Sequence, residues 1–176
     1  MLSISEAEQR AAALVERARA AGADAADAIY IADASTGVQV RLGALEDVER
    51  SEGEEIGLRF FTGSRSATVS SSDLSEESLG ALVERAAAMA REAPEDEWSG
   101  LAPEDLLMRD RGPDVDGDDG ADPAPTELKA RAMAIEDAAR AVAGVTNSEG
   151  AGVSAGRSVV ALATSHGFCR GYSTSG

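Results

Sequence analysis

Histidine, cysteine and aromatic residues are scarce in this chain of 176 residues. Cys169 is the single cysteine and His166 the single histidine, so no internal disulfide can form. A structural zinc site needs about four Cys or His ligands and a hydrolytic site about three, usually with more than one histidine. The chain alone provides too few. Aromatic residues make up 3% of the sequence, so the core must consist mainly of Leu, Val, Ile and Ala.

Basic residues are also few, because 16 Lys and Arg stand against 32 Asp and Glu and give a formal charge of -16. This charge repels the phosphates of nucleic acids and anionic membranes, so we expect neither as a direct partner. Apolar runs long enough to span a bilayer are missing, and the N-terminus lacks the pattern of a secretory signal. We therefore expect a cytoplasmic protein.

The periodicity of the first part of the chain is informative. Residues 5–21 repeat apolar side chains at helical spacing, with Ser5 and Glu8 placed as a capping box and Gly22 placed to end the helix. From residue 27 to residue 72 the period changes to two, as in VQVRL and EEIGLRFF. This alternation predicts an antiparallel meander of about four or five strands.

Two further helices are predicted, one after the N-cap Ser75 and one over residues 125–142. Their apolar stripes are Leu79, Leu82, Val83, Ala86, Met89 and Ala90 in the first, and Leu128, Ala132, Ile135, Ala139 and Val142 in the second. About two or three strands complete the chain. This order predicts an α+β fold, with about three helices packed on a mostly antiparallel sheet. We expect residues 1–176 to form a single domain.

Residues 94–123 are strongly acidic, and we expect an exposed loop there. Asp114, Asp116 and Asp118 have the spacing of the first ligands of a calcium-binding loop. Asp119, however, occupies the position that needs glycine, and a proline stands where the loop needs glutamate. The pattern therefore favours a solvated linker over a calcium site.

The segment LATSHGFCRGY, residues 162–172, contains both His166 and Cys169. In an extended segment these two side chains point to opposite faces, which disfavours a catalytic dyad. We interpret His166 as a strand or turn residue and Cys169 as a small buried apolar group. The segment SSSDLS, residues 70–75, lacks the G-x-S-x-G pattern of a nucleophile elbow. We therefore predict no catalytic residue, cofactor-binding residue or metal ligand in this chain.

Several longer strings are more specific than these patterns. They are VQVRLGALEDVERSEGEEIGLRFFTGSRSATVSSSDLS, ALVERAAAMAREAPEDEWSGLA, VTNSEGAGVSAGRS and ALATSHGFCRGYS. In this order they resemble the N-terminal part of the TldD/PmbA family, and in particular its PmbA branch, which is also called TldE. The resemblance extends over nearly the whole chain.

This resemblance implies a cytoplasmic subunit of a heteromeric metallopeptidase that acts on peptides and unfolded protein segments. The family is also known as a modulator of DNA gyrase. Its zinc-binding His-Glu-x-x-x-His motif belongs to TldD and does not occur in this sequence. The resemblance therefore implies a non-catalytic N-terminal domain without the family's C-terminal domain, and zinc in a TldD-like partner subunit.

Alternatives to this assignment stay open. The chain could form a homodimer in place of a complex with TldD. It could be a stand-alone protein-binding or scaffold module without a peptidase role. It could also be a truncated catalytic peptidase of the TldD type, because family members are much longer than this chain.

The resemblance also marks signature positions whose role is unknown. For the string NSEG the favoured interpretation is structural, namely a glycine-terminated turn between strands. The signature positions are Gly57, Arg59, Ser72, Asp73, Asn147, Ser148, Glu149 and Gly150.

Overall fold

The computed structural model describes residues 1–110, 112–113 and 115–176. The helices are α1 (Ile4–Ala20), α2 (Glu76–Glu92) and α3 (Pro125–Arg140), with a short 3-10 turn at Glu104–Leu106. The strands are β1 (Ala25–Arg41), β2 (Ala44–Thr62), β3 (Arg65–Ser71), β4 (Ala151–Thr164) and β5 (Cys169–Ser175). Within this described part of the chain, no helix is both long and apolar enough to cross a membrane.

The strands form one antiparallel sheet of five strands in the order β3-β2-β1-β4-β5. The pairing of β2 with β3 extends from Ile56↔Ser71 to Thr62↔Arg65. Together with the helices, this sheet confirms the predicted α+β class. The predicted number of strands before α2 is wrong, because three strands precede this helix and the first two are 17 and 19 residues long. Thr36 is buried within the long strand β1.

The first helix is capped two residues earlier than predicted. Its N-cap is Ser3 rather than Ser5, and Ser3 forms the capping box with Glu6. The backbone N–H of Ser3 donates to the Glu6 carboxylate at 2.9 Å. Both serines have the S-x-x-E spacing, but the earlier start also packs Leu2 and Ile4 against the core. The predicted apolar face is buried at Ala7, Ala11, Leu14, Val15 and Ala18.

The second helix begins where the sequence predicts. Ser75 is its N-cap, and the Ser75 side chain accepts a hydrogen bond from the backbone N–H of Ser78 at 3.2 Å. Its buried residues are Leu79, Leu82, Val83, Ala86, Ala87 and Ala90. Met89 is an exception to the predicted stripe, because it is 48% exposed.

The apolar stripe predicted for α3 is partly wrong. Leu128 and Ala132 are buried, but Ile135 is 52% exposed and Val142 lies beyond the last helical residue, Arg140. The third buried residue of the helix is Glu136. The face that packs on the sheet therefore follows positions i, i+4 and i+8, which lie on one side of a helix.

The described residues divide into two compact units, which we treat separately. Unit 1 comprises Met1–Ala32, Gly53–Val115 and Val159–Ser173, and unit 2 comprises Asp33–Glu52, Asp116–Ser158 and Thr174–Gly176. In unit 1, α1 and α2 contribute to an alanine-rich core with Tyr30 and Phe60 as its largest side chains. In unit 2, Leu128 and Ala132 of α3 pack on Val38 and Val40 of β1. The single domain expected from the sequence stays a prediction.

Candidate functional site

In unit 2 the carboxylate of Glu136 on α3 is a buried acidic group with fixed partners. The residue is 1% exposed, and its carboxylate accepts hydrogen bonds from the backbone N–H groups of Leu42 at 2.7 Å and Gly43 at 2.8 Å. These turn residues have positive φ angles of 50° and 76°, as tight hairpin turns do. The Ser148 side chain is near enough to the same carboxylate to lower its pKa. Glu136 therefore connects α3 with the β1–β2 turn and lies beside the loop before β4.

These hydrogen bonds lower the pKa of the Glu136 carboxyl below its ordinary value. The Gly43 N–H contributes most and the Ser148 hydroxyl comes next, and together with the Leu42 N–H they outweigh the burial, which raises the pKa. The positive charge of Arg140 lowers the pKa further. A carboxylate that is charged at neutral pH and enclosed by donors serves as a structural acceptor rather than as a proton-transfer group.

The NSEG loop (Asn147–Gly150) contains four of the signature positions and lies between α3 and β4. The predicted turn between two strands is therefore wrong, because the element before the loop is a helix. The backbone N–H of Gly150 donates to the Ser148 hydroxyl oxygen at 2.9 Å. Gly150 has a φ angle of 105°, and a Cβ at this position would lie 2.4 Å from the carbonyl oxygen of Val40. Only glycine fits such a close approach of two backbones. Asn147 and Glu149 are exposed, so Ser148 and Gly150 give the loop its structural contacts.

Unit 2 also contains an open groove of about 520 Å³, which we call the acidic groove. Its lining residues are Gly37, Val38, Gln39, Glu46, Asp47, Glu49, Gly152, Val153 and Ser154. Three of them are carboxylates. Of these, Glu46 forms an ion pair of 3.9 Å with Arg41. The remaining two, Asp47 and Glu49, give the groove a negative potential that attracts cationic groups.

The β2 strand beside the acidic groove is highly exposed in its first half. Residues 44–52 are all exposed, and Leu45 and Val48 are among the exposed large apolar residues of the described chain, at 46% and 49%. The pairing of β2 with β3 begins only at Ile56. We call Ala44–Glu52 the open edge of β2, because β3 does not cover it. An uncovered edge presents backbone N–H and C=O groups to any chain that can add as a strand.

In unit 1, the signature positions Gly57 and Arg59 lie on β2. A Cβ at Gly57 would come within 3.3 Å of the Ile29 side chain, which is a tight approach. The Nε of Arg59 donates to the Asp27 carboxylate at 3.0 Å, and the guanidinium lies 5.0 Å from the centroid of the Phe61 ring. An ion pair combined with a cation–π contact holds the Arg59 side chain on the sheet. Both positions therefore have structural contacts.

The signature positions Ser72 and Asp73 precede α2, and both are exposed. The Asp73 carboxylate accepts a hydrogen bond from the backbone N–H of Ser75 at 2.9 Å. This bond is the main reason why the pKa of Asp73 lies below its ordinary value. Asp73 therefore helps to begin the helix by satisfying an N-terminal donor.

The single histidine and the single cysteine contact different neighbours in unit 1. His166 lies in the turn between β4 and β5, and its Nδ1 is 3.3 Å from the carbonyl oxygen of Ala102. Cys169 is the first residue of β5, is half-buried, and its thiol donates to the carbonyl oxygen of Glu8 at 3.6 Å. Burial, and to a lesser degree the Glu8 carboxylate, raises the pKa of this thiol. The two side chains thus have separate partners, and the absence of a catalytic dyad stays a prediction.

The donor atoms of the described residues do not fit a zinc site. In residues 1–110, 112–113 and 115–176, no three His, Cys, Asp or Glu side chains lie together in a way that could hold a metal ion. Of the acidic run considered for calcium, Asp114 lies outside the described residues. Asp118 forms an ion pair with Arg157 at 2.8 Å. We therefore derive no chemical step through a metal bound to this chain.

Two family models match the chain. The PmbA/TldA metallopeptidase domain 1 matches residues 26–90, and the PmbA/TldA metallopeptidase central domain matches residues 118–176. The chain belongs to the PmbA/TldD family. The two matches together cover more than half of its residues, and they include all eight signature positions.

Curated relatives support the same assignment. The chain is 33% identical over 178 residues to the metalloprotease PmbA homolog of Haemophilus influenzae, with 99% of this chain and 39% of the relative covered. It is 32% identical over 141 residues to metalloprotease PmbA of Escherichia coli O157:H7, with 78% of this chain and 31% of the relative covered. The chain thus spans about two fifths or less of the length of these PmbA proteins.

Solved structures share the fold. A candidate modulator of DNA gyrase from Bacteroides thetaiotaomicron aligns with a TM-score of 0.84 at 19% identity, covering 99% of this chain and 40% of that protein. A second candidate gyrase modulator, from Thermotoga maritima, aligns with a TM-score of 0.71 at 12% identity, covering 98% and 37%. TldE from Thermococcus kodakarensis aligns with a TM-score of 0.66 at 18% identity, covering 93% and 36%.

The sequence patterns did not reveal Glu136 or the acidic groove of this PmbA/TldD-family chain. One signal for Glu136 is present, since it lies four residues after Ala132 and eight after Leu128 and thus shares their helix face. An acidic residue on an apolar face indicates a buried acceptor with fixed donors. For the groove there is no such signal, because Asp47 and Glu49 lie in a segment whose pattern predicts only an ordinary strand.

Proposed function

We propose that this chain is the N-terminal part of a non-catalytic, PmbA/TldE-type subunit of a metallopeptidase complex. The complex acts in the cytoplasm on peptides and unfolded protein segments, and its zinc is held by a TldD-like partner. The observation that carries the proposal is PmbA/TldD family membership together with curated relatives that are both PmbA proteins. The chain has one histidine and one cysteine, whereas hydrolytic zinc sites use about three protein ligands, which is why the proposal assigns the zinc to the partner.

The roles of the signature residues support a subunit that contributes structure rather than chemistry. Ser148, Gly150, Arg59 and Asp73 all have local packing or capping contacts. None of them has the arrangement of a nucleophile with a base. The names of the curated relatives, both PmbA, favour the PmbA branch over the TldD branch.

The decisive experiment is peptide cleavage by three samples: the chain alone, the TldD-like protein of the same organism alone, and the two mixed. We expect no cleavage by the chain alone, and cleavage that the mixture increases and a chelator removes. Zinc content, measured by mass spectrometry, should be far below one ion per chain. Metal-dependent cleavage by the isolated chain would contradict the proposal and favour the truncated TldD-type peptidase.

The oligomeric state and the co-purifying partner distinguish the TldD complex from the scaffold module and the homodimer. Co-purification from a native lysate should recover a stable TldD-type partner with this chain. A monodisperse monomer without that partner would support the scaffold module, and a dimer by light scattering would support the homodimer. Nucleic acid should not co-purify in either case, because the charge of -16 opposes it.

A further inference from the structure

We propose that the open edge of β2 (Ala44–Glu52) binds an extended peptide segment with basic side chains at alternate positions. Asp47 and Glu49 of the acidic groove are the residues that recognise these side chains. The inference deepens the proposed function, on which its biological meaning rests, because it names the class of peptide that the subunit would bind.

The edge has the geometry that strand addition requires. β2 is 19 residues long, whereas β3 is 7 residues long and pairs with β2 only from Ile56 onwards. The open edge is exposed along its whole length, and β1 pairs with β2 on its other side. A peptide in extended conformation can therefore add on the uncovered side through backbone hydrogen bonds, as in other cases of strand addition.

The spacing of the Asp47 and Glu49 carboxylates matches the spacing of alternate side chains in an extended peptide. Asp47 and Glu49 are two residues apart on a strand, so their side chains lie on the same face, at a distance of about 7 Å along the strand. Both line the same groove. An added peptide places every second side chain on that face with the same spacing. Lysine or arginine at positions i and i+2 of the peptide thus matches the two acids.

The rest of the groove leaves room for long basic side chains. Gly37 and Gly152, which line it, have no side chains of their own, and Gln39 and Ser154 add polar groups beside the carboxylates. Lys and Arg of the added peptide can lay their aliphatic stems across β2 while their cationic ends reach Asp47 and Glu49 at the near side of the groove.

The acidic charge of the open edge indicates which kind of strand can add to it. Ala44–Glu52 contains the acids Glu46, Asp47, Glu49 and Glu52 and one base, Arg50. Arg50 forms an ion pair with Glu52 and donates to the Thr36 hydroxyl at 3.0 Å. A second copy of this chain would bring the same acidic edge and an overall charge of -16, so like charges oppose edge-to-edge pairing. A basic peptide is the complementary partner.

The test is fluorescence anisotropy with the whole chain and a labelled peptide of about nine residues, in which lysine alternates with threonine or valine. We expect binding that weakens with added salt, and binding weaker by roughly tenfold or more when glutamate replaces lysine in the peptide. A third peptide keeps all lysines but carries N-methyl groups on consecutive central residues. It should also bind much more weakly, because it lacks the backbone donors of a strand.

Two double variants test whether Asp47 and Glu49 are the residues that bind the basic side chains of the peptide. The double variant Asp47→Asn, Glu49→Gln should weaken binding of the lysine peptide several-fold. The matched control Glu84→Gln, Glu92→Gln removes the same charge from exposed positions of α2 and should leave binding nearly unchanged. Hydrogen exchange should show protection of backbone amides within Ala44–Glu52 when the peptide is bound. Thermal melts of both variants verify that they are folded.

Three results would overturn the inference: absence of binding, equal weakening by the two double variants, or full binding of the N-methylated peptide. The assay contains neither partner nor metal, so it is independent of the cleavage experiment. Cleavage by the mixture without basic-peptide binding would refute only this inference. Basic-peptide binding without partner-dependent cleavage would refute only the proposed subunit role.

Discussion

Glu136 accepts a hydrogen bond from the backbone N–H of Gly43 at 2.8 Å, so a carboxylate on α3 holds the turn between β1 and β2. Replacement Glu136→Gln puts an amide NH2 group, which is a donor, at one of two oxygens that now accept from backbone N–H groups. We expect the melting temperature at pH 7 to fall by several degrees, because a buried donor loses its partner. Glu127→Gln, at an exposed position of the same helix, should have little effect.

The same contact predicts a pH dependence. Since the folded-state pKa of Glu136 is lowered, its charge stabilises the fold at any pH above the pKa of the unfolded state, about 4.3. This contribution is lost as the pH falls from that value through the folded-state pKa. The difference in melting temperature between the native chain and Glu136→Gln should therefore shrink between pH 5 and pH 3. A constant difference over this range would show that Glu136 is not charged in the fold.

Gly150 should be intolerant of any side chain. Gly150→Ala forces a Cβ to within 2.4 Å of the Val40 carbonyl oxygen at a φ angle of 105°. We expect a loss of at least about 1–2 kcal/mol of unfolding free energy from the backbone conformation alone. Gly80→Ala is the matched control, because Gly80 lies in α2 with open space around its missing Cβ. There alanine should stabilise the chain by about 0.5–1 kcal/mol. Urea unfolding measures both, and equal effects would contradict the prediction.

The packing face of α3 can be tested with two substitutions of similar size. Leu128 is fully buried in the small core of unit 2, whereas Ile135 is 52% exposed. Leu128→Ala should cost about 2–5 kcal/mol through lost contacts and a cavity. Ile135→Ala should change the unfolding free energy by less than about 0.5 kcal/mol. Urea unfolding measures both changes. A larger loss of unfolding free energy in Ile135→Ala than in Leu128→Ala would support the apolar stripe predicted from the sequence.

Cys169 should react slowly with thiol reagents in the folded chain. Burial raises the pKa of its thiol above the ordinary value, so less of the reactive thiolate is present at pH 8 than in an unfolded chain. Unfolding in urea should accelerate the reaction with a disulfide reagent. His166→Ala should leave the folded-state rate unchanged, because His166 contacts the Ala102 carbonyl oxygen. A rate that is fast in the native chain and slowed by this variant would indicate a Cys-His pair.

Where local residues determine a feature, the sequence was sufficient to predict it. Ser75 caps α2 through a side chain that reaches the backbone three residues later, and the buried face of α1 follows its own apolar spacing. The α+β class follows from the change of period along the chain. The family assignment rests on long strings and is likewise local.

Where a feature depends on residues far apart in the sequence, the local pattern predicted it wrongly or did not predict it. Glu136 and its two backbone donors, Leu42 and Gly43, are 94 and 93 positions apart. Helical periodicity predicts that Ile135 lies in the core, because apolar spacing within a single helix favours burial of an isoleucine over burial of the neighbouring Glu136. β1 is one continuous strand of 17 residues that includes the buried Thr36, a length that the local pattern did not predict.

By itself the sequence determined the helices, the class of fold, the family and the shortage of metal ligands, since composition and short-range periodicity are properties of neighbouring residues. Only the tertiary structure decided that Glu136 is a buried acceptor and that Gly150 lies against Val40. It also decided that Asp47 and Glu49 line one groove beside an uncovered strand. Each of these depends on which strands and helices meet, because burial and hydrogen bonding are set by groups far away in the chain.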